Sequence, residues 1–212
     1  AVPFSVDLEQ LVKKQASISP VTTPEIYERI FCGGMPALIS KQYTYRALFY
    51  SSYISTYLNR DVRDLSGNID SLKFMNFITA TAARAGQLVN YKSIAEDSGI
   101  DQVTAKNWIG ILETLGIVFL LHPFSNNVLK RTIKTPKLYF YDTGLVCYLT
   151  RWSSAETAMS GAMNGALLEN YVVSEVIKSY QNVGKEPFLY YYRDKDCPLY
   201  PSDAADDLPF VD

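Results

Sequence analysis

The amino-acid sequence predicts a mainly α-helical fold with a small β component (α+β), organised around a winged helix-turn-helix. Three observations predict it. Residues 70–121 run helix, short helix, Gly-containing turn, helix, strand, which is the order of a winged helix-turn-helix. Apolar residues recur every three to four positions over most of the chain, and only short runs such as 117–121, 137–141 and 188–192 are β-rich. The 212 residues are 48% hydrophobic and 20% charged, which is material for one large domain or two small ones. That composition excludes a disordered chain, a collagen and a disulfide miniprotein.

Residues 1–40 are punctuated by Pro3, Pro20, Pro24 and Pro36. Two short helices are expected there, Leu8–Gln15 and Pro24–Phe31, the second with Thr23 as N-cap and Gly33-Gly34 as its stop. No Gly or Pro interrupts Tyr43–Leu65, and Tyr50, Tyr53, Ile54, Tyr57, Leu58 and Asp61 form one stripe of a long helix that ends by Gly67. Asp70 or Ser71 caps the next helix, with Leu72, Phe74, Met75, Phe77 and Ile78 facing inward and Gly86 closing it. A short helix Tyr91–Ser98 ends at Gly99. Asp101 caps a third helix over 102–115, whose apolar positions are Val103, Trp108, Ile109, Ile111, Leu112 and Leu115. Gly116 stops it, Ile117–Leu121 reads as a strand, and Pro123 with Asn126-Asn127 marks a turn. Lys137–Tyr141 is a second strand. Asp142-Thr143 caps a helix from Gly144, and a long helix covers Gly165–Ser179 with Leu167, Leu168, Tyr171, Val172, Val176 and Ile177 as its core face. Phe188–Tyr192 is an aromatic strand. Residues 195–212 carry neither period and are expected to be irregular.

The formal net charge is −2, so a nucleic-acid site has to be a local patch. The third helix offers Gln102, Thr104, Lys106 and Asn107 to a major groove. Against this, residues 87–115 hold two lysines and four carboxylates, and acidic helices repel phosphate. The better basic feature is Leu129–Lys137, where Lys130, Arg131, Lys134 and Lys137 stand without an acid at the expected wing. The alternative for that run is a solvated linker.

Other motifs read as structural. Asp142-Thr143-Gly144 matches the aspartic-protease tripeptide, but it occurs once and is followed by a helical run, so Asp142 reads as an N-cap. Asp61 and Asp64 lie one turn apart between Arg60 and Arg63, an ion-pair network in place of a metal site. His122 lacks a nucleophile signature. Cys32, Cys147 and Cys197 are scattered and odd in number, as in a reduced cytosolic protein. The longest apolar stretch, Ile117–Leu121, is far short of the ~20 residues a membrane-spanning helix needs, and no signal peptide opens the chain. The expected location is cytoplasmic, with no membrane partner and no metal.

Several segments occur together in a pattern that resembles a known family. They are Tyr53-Ile54-x-x-Tyr57-Leu58-x-Arg60-Asp61-Val62, Ala85–Asn90, Trp108-x-x-x-Leu112-x-x-x-Gly116 and Asn127-x-x-Lys130-Arg131-x-x-Lys134-x-Pro136-Lys137-x-Tyr139-Phe140-x-Asp142-Thr143-Gly144-Leu145. Gly165-x-Leu167-x-Glu169-Asn170-Tyr171-Val172 and Tyr191–Asp194 complete it. The chain resembles the C-terminal part of prokaryotic AAA+ superfamily ATPases that carry a C-terminal domain of unknown function. The likeness covers about residues 1–194, and the run Lys130–Leu145 is specific.

The resemblance implies a lid-like segment with a long connecting helix over 1–66, a winged helix over 67–128 and a partial PD-(D/E)XK nuclease-like α/β unit over 129–194. It makes Glu169 the remnant of the nuclease helix carboxylate. The family continues with a Glu-Ile-Asp strand and a Glu-x-Lys strand. This sequence departs at Cys197, which implies a truncated chain with a frameshifted or vector-derived tail. No Gly-x-x-x-x-Gly-Lys-Ser/Thr occurs, so ATP and Mg²⁺ belong to an ATPase domain absent here and no cofactor is expected in this chain. The resulting expectation is a non-catalytic fragment that binds double-stranded DNA or a partner, coupled to its own ATPase domain, with a homo-oligomer possible. The alternatives are a metal-dependent nuclease using Glu169, Asp194 and Asp196, and an interaction or oligomerisation module without DNA contact.

Overall fold

The computed structural model describes residues 19–58 apart from 41 and 43, then 60–62, 67, 70–124 and 135–192, together with 4, 7, 9 and 12. It is mostly helical with a small antiparallel sheet, as the periodicity predicts. Helix α1 (Thr23–Cys32) starts on a capping box in which Thr22, one residue earlier than expected, accepts from the Glu25 amide while Glu25 accepts from the Thr22 amide at 2.7 Å. The helix stops at Gly33, whose φ of +82° suits only glycine. Pro36 opens the short α2 (Pro36–Ile39).

The expected long helix is instead α3 (Arg46–Ser52) running into a π-helical turn over Tyr53–Leu58. An apolar repeat of three to four residues does not distinguish α from π bonding, which is why the sequence did not announce it. Of the expected helix Leu8–Gln15, only Glu9 and Val12 are described, and both are helical; Arg63, Asp64, the turn at Asn126-Asn127 and the tail lie outside the described residues. Arg60 and Asp61 do pair, at 3.5 Å.

Next come α4 (Ser71–Ala82), α5 (Tyr91–Ser98) and α6 (Gln102–Thr114), capped by Asp70, Asn90 and Asp101 respectively. Gly99 takes the left-handed conformation that turns α5 into α6. Trp108 of α6 meets Phe74 and Phe77 of α4 edge-on, at 5.5 and 5.2 Å between ring centres. Leu72 and Val103 point outward, about 70% exposed, against the expectation for Leu72. At about 100° per residue, Leu72 stands on the far side of α4 from Phe74.

Strand β1 (Val118–Leu121) pairs antiparallel with β2 (Lys137–Phe140), Val118 opposite Phe140 and Leu121 opposite Lys137. The other edge of β2 is covered too. Gly86 donates to Leu138 O at 2.7 Å, Leu138 donates to Gln87 O at 2.9 Å, and Val89 donates to Pro136 O at 2.9 Å. Spatially, then, 86–89 flanks β2 on one side and β1 on the other.

Three helices follow: α7 (Thr143–Leu149), α8 (Ala155–Ser160) and α9 (Asn164–Gln181). The buried face of α9 is Leu167, Asn170, Ser174 and Ile177, while Leu168 and Val172, expected in the core, face out. The polar Asn170 is fully buried because its amide completes the sheet. Its Oδ1 accepts from Phe140 N and its Nδ2 donates to Phe140 O, both at 2.8 Å, so one side chain stands in for a strand where the 86–89 segment ends. Replacing Asn170 with Ala orphans both backbone groups of Phe140, and we expect a loss of about 2–4 kcal/mol of unfolding free energy by urea titration.

The aromatic run Phe188–Tyr192 is not a strand of the sheet. It makes one parallel bridge, Tyr191 with Pro123, and its alternation reflects packing of Leu189 and Tyr191 against Phe119, Leu121, Tyr139 and Ile177. The larger buried cluster draws side chains from Tyr27 through Leu167. Among the described residues, no helix is long and apolar enough to cross a membrane.

Candidate functional site

The chemistry of the core gathers on Asp142, at the turn between β2 and α7. The residue is 7% exposed, and its carboxylate accepts from three directions. The Leu145 amide donates to Oδ1 at 2.7 Å, which is the N-cap the sequence predicts. The Tyr50 hydroxyl of α3 donates to the same oxygen at 2.7 Å. The Gly34 amide, just past α1, donates to Oδ2 at 2.7 Å. A single side chain therefore clasps α7, α3 and the α1–α2 turn.

Close packing makes the clasp possible. A Cβ on Gly144 would lie 2.2 Å from the Tyr50 hydroxyl and 2.7 Å from both Cys32 O and Gly33 Cα. One on Gly33 would lie 2.3 Å from the same hydroxyl. Arg46 supplies a nearby cation: Nη2 donates to Gly144 O at 3.0 Å, and the guanidinium lies 3.8 Å over the Phe31 ring. Burial, then the Asp142 charge, pushes the Tyr50 phenol far above its ordinary range, so it stays a donor.

Burial likewise pushes the Cys147 thiol up to about 12, beneath α1, where its Sγ faces Ile30 O at 3.9 Å. Cys147 should therefore stay silent to a disulfide reagent in the native chain and react only on unfolding, as peptide mapping of the labelled thiol would show. Labelling of Cys147 at the rate of a free thiol would contradict this packing.

Beside the clasp is a half-open cleft of about 250 Å³. Met35, Ile117 and Leu145 supply apolar lining, Tyr53 and Tyr141 aromatic walls, and Asp142 and Lys178 the charges. Lys178 pairs with Glu175 one turn earlier on α9.

The residues singled out from the sequence fall into separate places. Gln102, Lys106 and Asn107 are exposed on α6. Thr104 is half-buried and its hydroxyl donates to Asp101 at 2.6 Å as part of the cap. Lys137 is 13% exposed and its ammonium meets Glu169 at 2.8 Å, where the Tyr139 hydroxyl also donates at 2.5 Å. Lys137, Tyr139 and Glu169 thus hold α9 onto β2. Lys130, Arg131, Lys134, Asp194 and Asp196 lie outside the described residues.

Residues 23–156 match the model of a domain of unknown function, DUF8612. The chain belongs to this family. The DUF8612 span contains every clasp residue, from Gly33 and Gly34 through Arg46 and Tyr50 to Asp142 and Gly144. The chain is also similar to two uncharacterised mycobacterial proteins, Mb2031c of Mycobacterium bovis and Rv2008c of Mycobacterium tuberculosis. It is 26% identical to each over 168 residues, covering 79% of this chain and 37% of either relative. The chain therefore spans little more than a third of the length of the curated relatives it matches. No solved structure matches it.

The clasp was missed because its parts are 92 and 108 residues apart in sequence. One signal was present. A tyrosine in an apolar stripe needs an acceptor when buried, and an N-cap aspartate has a second oxygen to offer.

Proposed function

We propose that this DUF8612 chain is a non-catalytic binding and coupling module of a longer, ATPase-related protein. In this reading the winged helix lies over 67–128 with α6 as its presented helix, and the Asp142 clasp, just past β2, ties that strand and α7 to the lid-like segment over 1–66. The observation that carries the reading is the carboxylate shared between Gly34, Tyr50 and α7, which makes displacement of one segment felt by the other two. Support for the winged helix comes from the sheet: a segment between the first two helices lies beside the last strand, which lies beside the middle one, in the winged-helix order.

The surface favours a protein partner over DNA. Lys137 is engaged with Glu169, Thr104 with Asp101, and the α5–α6 region carries more carboxylates than lysines. The exposure of Gln102, Lys106 and Asn107 on one helix favours the second reading, groove binding by α6.

Duplex DNA titrated at several salt concentrations, with Mg²⁺ present in a parallel arm, tests both. The partner-docking reading predicts a log–log slope of about one or less. A slope of several units that flattens when Lys130, Arg131, Lys134 and Lys137 become Ala would establish the DNA reading instead. Nicked plasmid in the Mg²⁺ arm would overturn the non-catalytic assignment.

A further inference from the structure

We propose that the cleft beside the clasp binds a free α-amino acid with an apolar side chain. Two opposite charges face each other there without meeting. The point a Gly34 Cβ would occupy is 3.5 Å from Lys178 Nζ and 3.8 Å from Asp142 Oδ2, yet Lys178 pairs with Glu175, which does not line the cleft. Asp142 Oδ2 accepts one hydrogen bond, from Gly34, and a carboxylate oxygen has room for another. Lys178 keeps two further N–H groups.

A zwitterion complements this pair. Its ammonium meets Asp142 Oδ2, its carboxylate meets Lys178, and its Cα packs against the Gly34 backbone between them, which the missing side chain leaves open to close approach. The side chain then enters the space lined by Met35, Ile117 and Leu145. A cleft of about 250 Å³ accommodates a leucine, methionine or phenylalanine. Tyr53 and Tyr141 add aromatic lining. The bound ligand bridges α9 to the Gly34 turn and so adds a further tie to the clasp.

Isothermal titration of the chain with L-leucine, L-methionine and L-phenylalanine, against N-acetyl-L-leucine amide, tests this. For a ligand of so few atoms in a half-open site, Kd is expected at about 1 mM. N-acetyl-L-leucine amide keeps the side chain and loses both charges, so it should bind at least about tenfold more weakly. Lys178→Met, a change at the rim that leaves the clasp untouched, should weaken the amino acids by a similar factor. Absence of binding by all three amino acids would overturn the proposal, as would equal binding of the amide or an unchanged Kd in Lys178→Met. None of these outcomes bears on the coupling role of the clasp, which is read from separate measurements.

Discussion

Replacing Asp142 with Ala should cost about 3–5 kcal/mol of unfolding free energy. The substitution strands the Tyr50 hydroxyl and the Gly34 and Leu145 amides. Each orphaned buried donor costs roughly 1–3 kcal/mol, and bonds to an ionised acceptor are the stronger kind. The N-cap of α7 goes with it. The midpoint of thermal unfolding should fall by about 10 °C, taking ~2–4 °C per kcal/mol for a chain of this size.

Asp142→Asn separates the parts. Its amide keeps one acceptor oxygen for Tyr50 and Leu145 but turns an NH₂ toward the Gly34 amide, so it should cost less, about 1–2 kcal/mol. A native-like midpoint for Asp142→Ala would mean that the three bonds do not hold the segments together.

Gly144→Ala is the second large effect, and its sign is informative. Gly144 lies inside α7 and does not have a positive φ. Helix propensity alone therefore predicts that Ala stabilises by about 1 kcal/mol. Packing predicts the reverse. The added methyl would sit 2.7 Å from the carbonyl oxygen of Cys32 and from Gly33 Cα. Both are backbone atoms that side-chain rotation cannot clear.

We expect a loss of about 3 kcal/mol or more, within the range of severe overpacking. The 2.2 Å approach to the Tyr50 hydroxyl could be relieved by Tyr50→Phe, so the double variant tests which clash matters. It should remain destabilised, because the backbone clash persists. Full rescue by Tyr50→Phe would place the whole conflict on the hydroxyl.

What the sequence revealed of this fold was local. Asp70, Asp101 and Asp142 were legible as caps because a cap needs only a short side chain followed by a helical run, within three residues. Gly99 and Gly116 were legible as stops for the same reason. Leu72, Leu168 and Val172 were misplaced because apolar identity says less about burial than position around the helix does. On α9 the buried face is set by Asn170 and Ser174, which hydropathy alone would have put outside.

The site was the least legible part. Gly33-Gly34 and Asp142-Thr143-Gly144 each looked like a turn of its own, and nothing local says that they touch. Lys137 and Glu169 were assigned to separate chemistries, yet in the fold their charges meet. Only three-dimensional proximity, set by the packing of α1 and α9 around α7 and the sheet, joins these pairs.

The central claim is that Asp142 fastens the Gly34 turn and α7 as one unit. Native-state hydrogen exchange of the Gly34 and Leu145 amides tests it most directly, because the Asp142 carboxylate accepts from both. The account predicts that both are protected with the same opening free energy and that Asp142→Asn lowers protection at Gly34 more than at Leu145. Fast exchange of Gly34, at the rate of an exposed turn, beside a protected Leu145 would contradict it.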